Sequence, residues 1–130
     1  MDNKESEQLK ILIAESDSDL LTLFKEYLSS LGVKTETAAS GQEAIEHFLK
    51  NKENKRQYNA IVLDTQLQNP SGLDVAKKIR SEKPDQKVVV VTTTPRKYLP
   101  EEYLKNARIE DKDILSIPFS LSKLAKVLKN

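Results

Sequence analysis

Asp64 is the residue of this chain best placed to do chemistry. It closes the apolar run Ala60-Ile61-Val62-Leu63 and opens the polar stretch Thr65-Gln66-Leu67-Gln68-Asn69-Pro70-Ser71-Gly72. A carboxylate at that junction has little structural reason to exist. It stands where a buried strand leaves the core and meets water, and in an open parallel α/β sheet that strand end is where ligands and reactions are found. Other chemistries are poorly supplied. The chain has no cysteine, which excludes disulfides, thiol catalysis and zinc-thiolate sites, and its one histidine leaves no His-based metal site and little scope for a Ser-His-Asp triad. Two further residues share the position of Asp64, at the exit of an apolar run: Glu15 after Ile11-Leu12-Ile13-Ala14, and Thr92 after Val88-Val89-Val90-Val91. Each has a plain alternative. Glu15 suits a solvated acid at a helix start, and Thr92-Thr93-Thr94 suits the β-branched end of a strand.

The elements that position these residues follow from periodicity. Lys10 to Ala14 reads as a strand, and Asp17-Ser18-Asp19 offers N-caps for a helix whose Leu20, Phe24, Tyr27, Leu28 and Leu31 recur at helical spacing and stop at Gly32. Val33 to Thr37 alternates in the manner of a half-exposed strand. Ser40-Gly41-Gln42-Glu43 has the capping-box pattern, and the helix behind it should turn Ala44, Ile45, Phe48 and Leu49 inward, with His47 on its exposed face. A strand at 59–64 follows, then a third helix marked by Leu73, Ala76 and Ile79, with Gly72 in a tight turn before it. The all-β-branched Val88 to Val91 marks a strand covered on both faces. Pro100 to Ala107 is a weak fourth helix, Ile114 to Ile117 a fifth strand stopped by Pro118, and Leu121, Leu124, Ala125 and Leu128 the face of a last helix. Strands separated by helices cannot pair as hairpins. The expectation is therefore α/β: a (βα)5 doubly wound, five-stranded parallel sheet with right-handed crossovers. Residues 1–8 read as a disordered tail and 9–130 as a single domain.

Composition narrows the function. Twenty-one basic and 20 acidic residues give a formal charge of +1, without the basic excess of a dedicated nucleic-acid binder. No apolar stretch is long enough to span a bilayer, and the polar, acidic start does not read as a signal peptide, so a cytoplasmic location is the default.

Taken together, Ile11-Leu12-Ile13-Ala14-Glu15, Gly32, Ala39-Ser40-Gly41-Gln42-Glu43-Ala44, Tyr58 to Asp64, Gly72, Val88 to Thr92 and Pro118-Phe119 occur in the order and spacing of a response-regulator receiver domain. The chain resembles that family, the phospho-accepting module of two-component signalling, from about residue 9 to 130. The resemblance implies the flavodoxin-like receiver fold with strand order 2-1-3-4-5. It implies that Asp64 is the phosphoacceptor, that Thr92 supplies the switch hydroxyl, and that Glu15, Asp64 and the backbone carbonyl of Gln66 are the metal ligands for Mg²⁺. It also implies a cis bond before Pro118.

The same resemblance exposes departures. Ser16 stands at the second acidic position, Ile117 at the position of the lysine that pairs with the phosphoryl group, and Ile114 where an aromatic often swings on activation. Glu110-Asp111 replace a Gly-Ala pair, and Pro70 falls later than the usual loop proline. A serine hydroxyl is a poorer ligand for a hard dication than a carboxylate, so Mg²⁺ binding is expected to be weak or lost. A missing lysine removes a charge-assisted hydrogen bond of about 1.5–3 kcal/mol. One loss removes a negative charge and the other a positive one, so the resting pocket keeps nearly the same net charge. Asp17 as a substitute ligand, and Arg96 or Lys97 as substitute cations, are weighed against the plainer N-cap and solvated-loop roles.

The resulting expectation is a stand-alone, non-enzymatic receiver in phosphorelay signalling. It would accept phosphate from a histidine kinase or phosphotransfer protein, at most catalysing its own acceptance and hydrolysis, and act on a downstream protein target without contacting nucleic acid or membrane. Tyr98 and Tyr103 are candidates for a partner surface. The alternative is an atypical pseudo-receiver that binds partners without phosphorylation. A cofactor-binding flavodoxin-like protein is a distant third, because no Gly-rich phosphate loop follows the first strand.

Overall fold

The computed structural model describes residues 8–129, so the expected tail at 1–8 lies, apart from Gln8, outside the described residues. Five strands, β1 (Lys10–Ala14), β2 (Lys34–Ala38), β3 (Ala60–Asp64), β4 (Val88–Thr92) and β5 (Ile114–Ser116), alternate with α1 (Ser18–Ser30), α2 (Gly41–Glu53), α3 (Gly72–Glu82), α4 (Glu101–Asn106) and α5 (Leu121–Lys129). All pairings are parallel and the sheet order is β2-β1-β3-β4-β5. The expected order therefore holds.

Burial explains which runs became which strands. β3 and β4 are buried along their whole length, which is why they read as unbroken apolar or β-branched runs. β2 is an edge strand, half-exposed, and carries Thr35, Glu36 and Thr37. One side of the sheet packs Phe48 of α2, Val75 and Ile79 of α3 and Leu104 of α4 against Leu12, Ile61, Leu63 and Val90. The other packs Phe24 and Leu28 of α1 and Leu124 and Leu128 of α5 against Ile11, Ile13, Val62 and Val89. The alternation of these strand residues between the two clusters is the period-2 geometry of a strand.

Local signals set the helix ends. Asp17 caps α1, accepting from the N–H groups of Asp19 and Leu20. Gly32 follows the α1 cap residue Leu31 at φ +84°, in the left-handed region that favours glycine. Ser40 accepts from the Glu43 N–H, while Glu43 reaches back to the N–H of Ala39, one residue earlier than in the standard capping box. Ser71 caps α3 through the Asp74 N–H. The Ile117–Pro118 bond is cis, as expected, and so is Asn69–Pro70.

Four details differ from expectation. Leu49 is 38% exposed, because it lies beyond the stripe of Ala44 and Phe48 that faces the sheet. His47 is half-buried and not exposed: its Nδ1 lies 3.7 Å from Glu36 Oε1 on the neighbouring edge strand. β5 ends at Ser116, so Ile117 belongs to the turn, although its N–H still bonds the Thr92 carbonyl at 2.8 Å. Gly72 is the first residue of α3 and needs no positive φ. A Cβ there would stand 2.1 Å from the Asp64 carbonyl oxygen, so close backbone approach, and not a turn, calls for glycine.

Candidate functional site

The sheet register assembles the site. Ala14 pairs with Leu63, so the next residue on each strand, Glu15 and Asp64, come level at the C-terminal edge. Asp64 pairs with Val91, which brings Thr65 level with Thr92. Glu15, Asp64 and Thr92, drawn from β1, β3 and β4, therefore gather at one end of the sheet, and all three are buried. Strand ends at this edge flank the β1/β3 switch point, where the order of the sheet reverses.

Two carboxyls share the centre. Burial, followed by a hydrogen bond to Asp64, pushes the Glu15 carboxyl up from 4.5 to about 8, although the Asp17 N–H bonded to its Oε2 at 3.1 Å pulls the other way. The shift favours the protonated form of Glu15, the usual response of an acid held beside another out of water. Asp64 Oδ1 accepts the N–H of Gln66 at 3.1 Å, and its backbone carbonyl accepts the N–H of Leu67 at 3.1 Å. The loop after β3 therefore wraps tightly around its own aspartate. It is also pinned from α2: the Gly41 N–H bonds the Gln68 carbonyl at 2.9 Å, and Gly41 lies so close to the Pro70 backbone that a Cβ would stand 2.1 Å from its carbonyl oxygen.

On the β4 side, the Thr92 hydroxyl oxygen accepts two hydrogen bonds, one from the Thr65 hydroxyl and one from the Thr94 N–H, both at 2.9 Å. Thr65 escaped the reading of the sequence, where it looked like the first residue of a polar loop. Its signal was the register: a hydroxyl directly after Asp64 must lie beside the last residue of the adjacent strand.

The departures have structural counterparts. Ser16 is exposed at the start of the loop after β1. Ile117 packs against the apolar cluster of Ile11, Ile13 and Val62, so the lysine position is filled by core packing. Ile114 packs on the opposite cluster. The side chains of the three candidate substitutes have other partners. Asp17 is occupied as the α1 cap. Arg96 pairs with two exposed acids, its Nε bonding Asp111 at 2.7 Å and its Nη1 bonding Glu101 at 2.8 Å. Lys97 is exposed, with Nζ 5.1 Å from the Tyr98 ring centroid.

The donor chemistry fits Mg²⁺, but thinly. Two carboxyls close enough to share a proton can share a cation, and Mg²⁺ is commonly held by one or two carboxylates with water completing its shell. Among the described residues no group of three or more His, Cys, Asp or Glu side chains could hold a metal. Metal would also have to displace the Glu15 proton.

Comparison with known proteins agrees with this fold. A family model for the response regulator receiver domain matches residues 11–129. The transcriptional regulatory protein RprY of Bacteroides fragilis is 30% identical over 118 residues, covering 91% of this chain and 47% of RprY. The chain thus spans about half the length of that relative, and 15% of the sensor protein ArcB of Escherichia coli, to which it is 27% identical. Among solved structures, the response regulator TrrA of Thermotoga maritima, in complex with Mg²⁺ and BeF, superposes with a TM-score of 0.79 at 26% identity over 94% of this chain and 97% of that one. A CheY-like receiver domain from Methanospirillum hungatei gives 0.76 at 25% identity, over 94% and 91%. No helix among the described residues is long and apolar enough to cross a membrane.

Proposed function

The chain belongs to the response-regulator receiver family, and from that premise we propose that it works in phosphorelay signalling by accepting a phosphoryl group on Asp64 and passing the signal on by protein contact. The observation that carries this reading is the meeting of Asp64 with Glu15 and Thr92 at the switch-point edge of the sheet.

In the proposed step an Asp64 carboxylate oxygen attacks the phosphorus of a phosphohistidine on a kinase or phosphotransfer protein. The P–N bond breaks, its electron pair leaves with the imidazole nitrogen, and an acyl phosphate remains on Asp64. Water attacking phosphorus later releases inorganic phosphate and restores the carboxylate. The Gln66 N–H fixes the orientation of Asp64 through Oδ1, which favours in-line attack by positioning. The Thr92 hydroxyl offers a hydrogen bond to a phosphoryl oxygen. Glu15, Asp64 and the Gln66 carbonyl would hold Mg²⁺, which offsets charge on the phosphoryl oxygens when bound. Beyond its own acceptance and hydrolysis, the domain catalyses nothing in this reading. The exposed Tyr98 and Tyr103, 68% and 50% accessible, support a partner surface around α4, and the absence of a long apolar helix among the described residues is consistent with a cytoplasmic setting.

One observation favours a second reading, a pseudo-receiver that binds partners without phosphate. Ile117 fills the lysine position with an apolar side chain packed on the core, leaving no cation there to pair with a phosphoryl group. Intact-mass measurement after incubation with Mg²⁺ and acetyl phosphate separates the two. A base-labile phosphoryl adduct on the protein that vanishes in Asp64→Asn supports phosphoryl acceptance. Failure of any adduct to form, with no Mg²⁺-dependent chemical-shift change, assigns the chain to the second reading.

A further inference from the structure

We propose that Thr65 is a positioning residue for phosphoryl acceptance: its hydroxyl holds the Thr92 hydroxyl in the orientation that donates toward Asp64. The inference rests on the reading of Asp64 as phosphoacceptor and adds a residue to it.

The argument is one of hydrogen-bond counting. A threonine hydroxyl has one donor and two acceptor sites. Thr92 Oγ1 accepts from the Thr65 hydroxyl and from the Thr94 N–H, both at 2.9 Å. Both lone pairs are used, so the Thr92 proton is directed away from Thr65 and Thr94. Thr92 is also fully buried, which denies it the water that would otherwise compete for its hydroxyl. A buried hydroxyl with both acceptor sites occupied is an oriented donor, and donors fixed before charge develops stabilise a transition state without reorganising.

Register makes Thr65 the residue able to do this. Its N–H bonds the Val91 carbonyl at 3.0 Å, extending the β3–β4 ladder one residue beyond Asp64. That extension puts the two threonines side by side. The arrangement bears on the loss of the lysine: with Ile117 packed against the core, a fixed Thr92 hydroxyl carries a larger share of the contacts to the phosphoryl oxygens.

The test compares the rate of adduct formation from acetyl phosphate and Mg²⁺ in the wild type, Thr65→Val, Thr65→Ser, Thr92→Val and the double variant Thr65→Val/Thr92→Val, each checked for folding by its melting temperature. Valine keeps the shape and removes the hydroxyl; serine keeps the hydroxyl. Thr65→Val should slow formation about tenfold, the scale of a misaligned contact, and Thr65→Ser should restore it to within about threefold. The double variant should be no slower than Thr92→Val alone, because Thr65 acts only through Thr92. Wild-type rates in Thr65→Val, or additive losses in the double variant, overturn the role of Thr65 while leaving Asp64 as acceptor. A wild type that forms no Asp64-dependent adduct overturns both.

Discussion

The first residue of α3, Gly72, lies against the carbonyl of Asp64 so closely that a methyl group on it would sit 2.1 Å from the oxygen. The contact ties the helix start to the end of β3 and fixes the backbone that carries the acceptor carboxylate. Gly72→Ala should therefore destabilise the protein by about 1–3 kcal/mol, the usual penalty of overpacking, despite a gain of about 0.5–1 kcal/mol in helix propensity. Urea denaturation checks this. An unchanged or higher midpoint would show that the β3–α3 junction yields freely. Gly32 is the contrast: nothing lies within 4 Å of its missing Cβ, and only its φ of +84° resists alanine.

The buried Glu15 gives the metal-free protein a pH signature. The Glu15 carboxyl is raised from 4.5 to about 8 by burial and by its bond to Asp64. The folded state thus holds a proton that the unfolded chain releases near pH 4.5. The corresponding stability is fully present below that pH and is lost as pH climbs toward 8. Glu15→Gln, which needs no proton to stay neutral, should flatten this slope and raise the melting temperature at pH 8 by at least about 4 °C, the shift about 1 kcal/mol produces in a small domain. Parallel wild-type and Glu15→Gln curves from pH 5 to 8, measured in EDTA, would contradict a protonated Glu15.

Much of the fold was legible because the central strands are buried on both faces. Ala60 to Leu63 and Val88 to Val91 have no polar residue to confuse the period, and Asp17, Ser40 and Gly32 mark helix ends with side chains or conformations of known preference. Leu49 was misread because an apolar residue beside a helical stripe looks the same in sequence whether or not the sheet reaches it. The site was legible as Asp64, Glu15 and Thr92, each at the exit of an apolar run. Its electrostatics were not, since the approach of Glu15 to Asp64 depends on Ala14 pairing with Leu63 and no other residue of β3. Thr65 was hidden for the same reason: its partner lies 27 positions away and is set by the β3–β4 register.

Away from the site, the half-buried Glu36 on β2 collects several partners. Burial alone would raise its carboxyl, but the Tyr58 hydroxyl that donates to it and the nearby charges of Lys10 and His47 more than offset that, leaving it below the ordinary carboxylate value. A lowered acid stabilises the fold above the unfolded value of 4.5 and loses that contribution as pH falls through the folded one. Tyr58→Phe should move the acid-unfolding midpoint to higher pH and reduce stability at pH 7 by about 1 kcal/mol, the net worth of a hydrogen bond. An acid limb superimposable on the wild type would show that Tyr58 contributes packing alone.

Restoring the missing charges tests what their loss did. Ser16 is exposed beside Glu15, so Ser16→Asp adds a carboxylate with little cost to the core. With a third carboxyl beside Glu15 and Asp64, Mg²⁺ affinity at pH 7 should rise about tenfold, equivalent to about 1.4 kcal/mol. Ile117→Lys behaves differently, because Ile117 packs on the cluster of Ile11, Ile13 and Val62. The lysine stem can cover part of that surface while its ammonium reaches water or the site, but lost apolar contact should lower stability by about 1 kcal/mol. Together the two changes should speed adduct formation from acetyl phosphate more than the product of their separate effects, since a cation-bound phosphoryl group and an ammonium beside it act on the same oxygens. Magnesium titration by chemical shift and the rate of the mass increase supply both readouts. Wild-type magnesium affinity in Ser16→Asp would show that the serine is not what weakens cation binding, and strictly multiplicative rates would show that the two positions do not act on a common group.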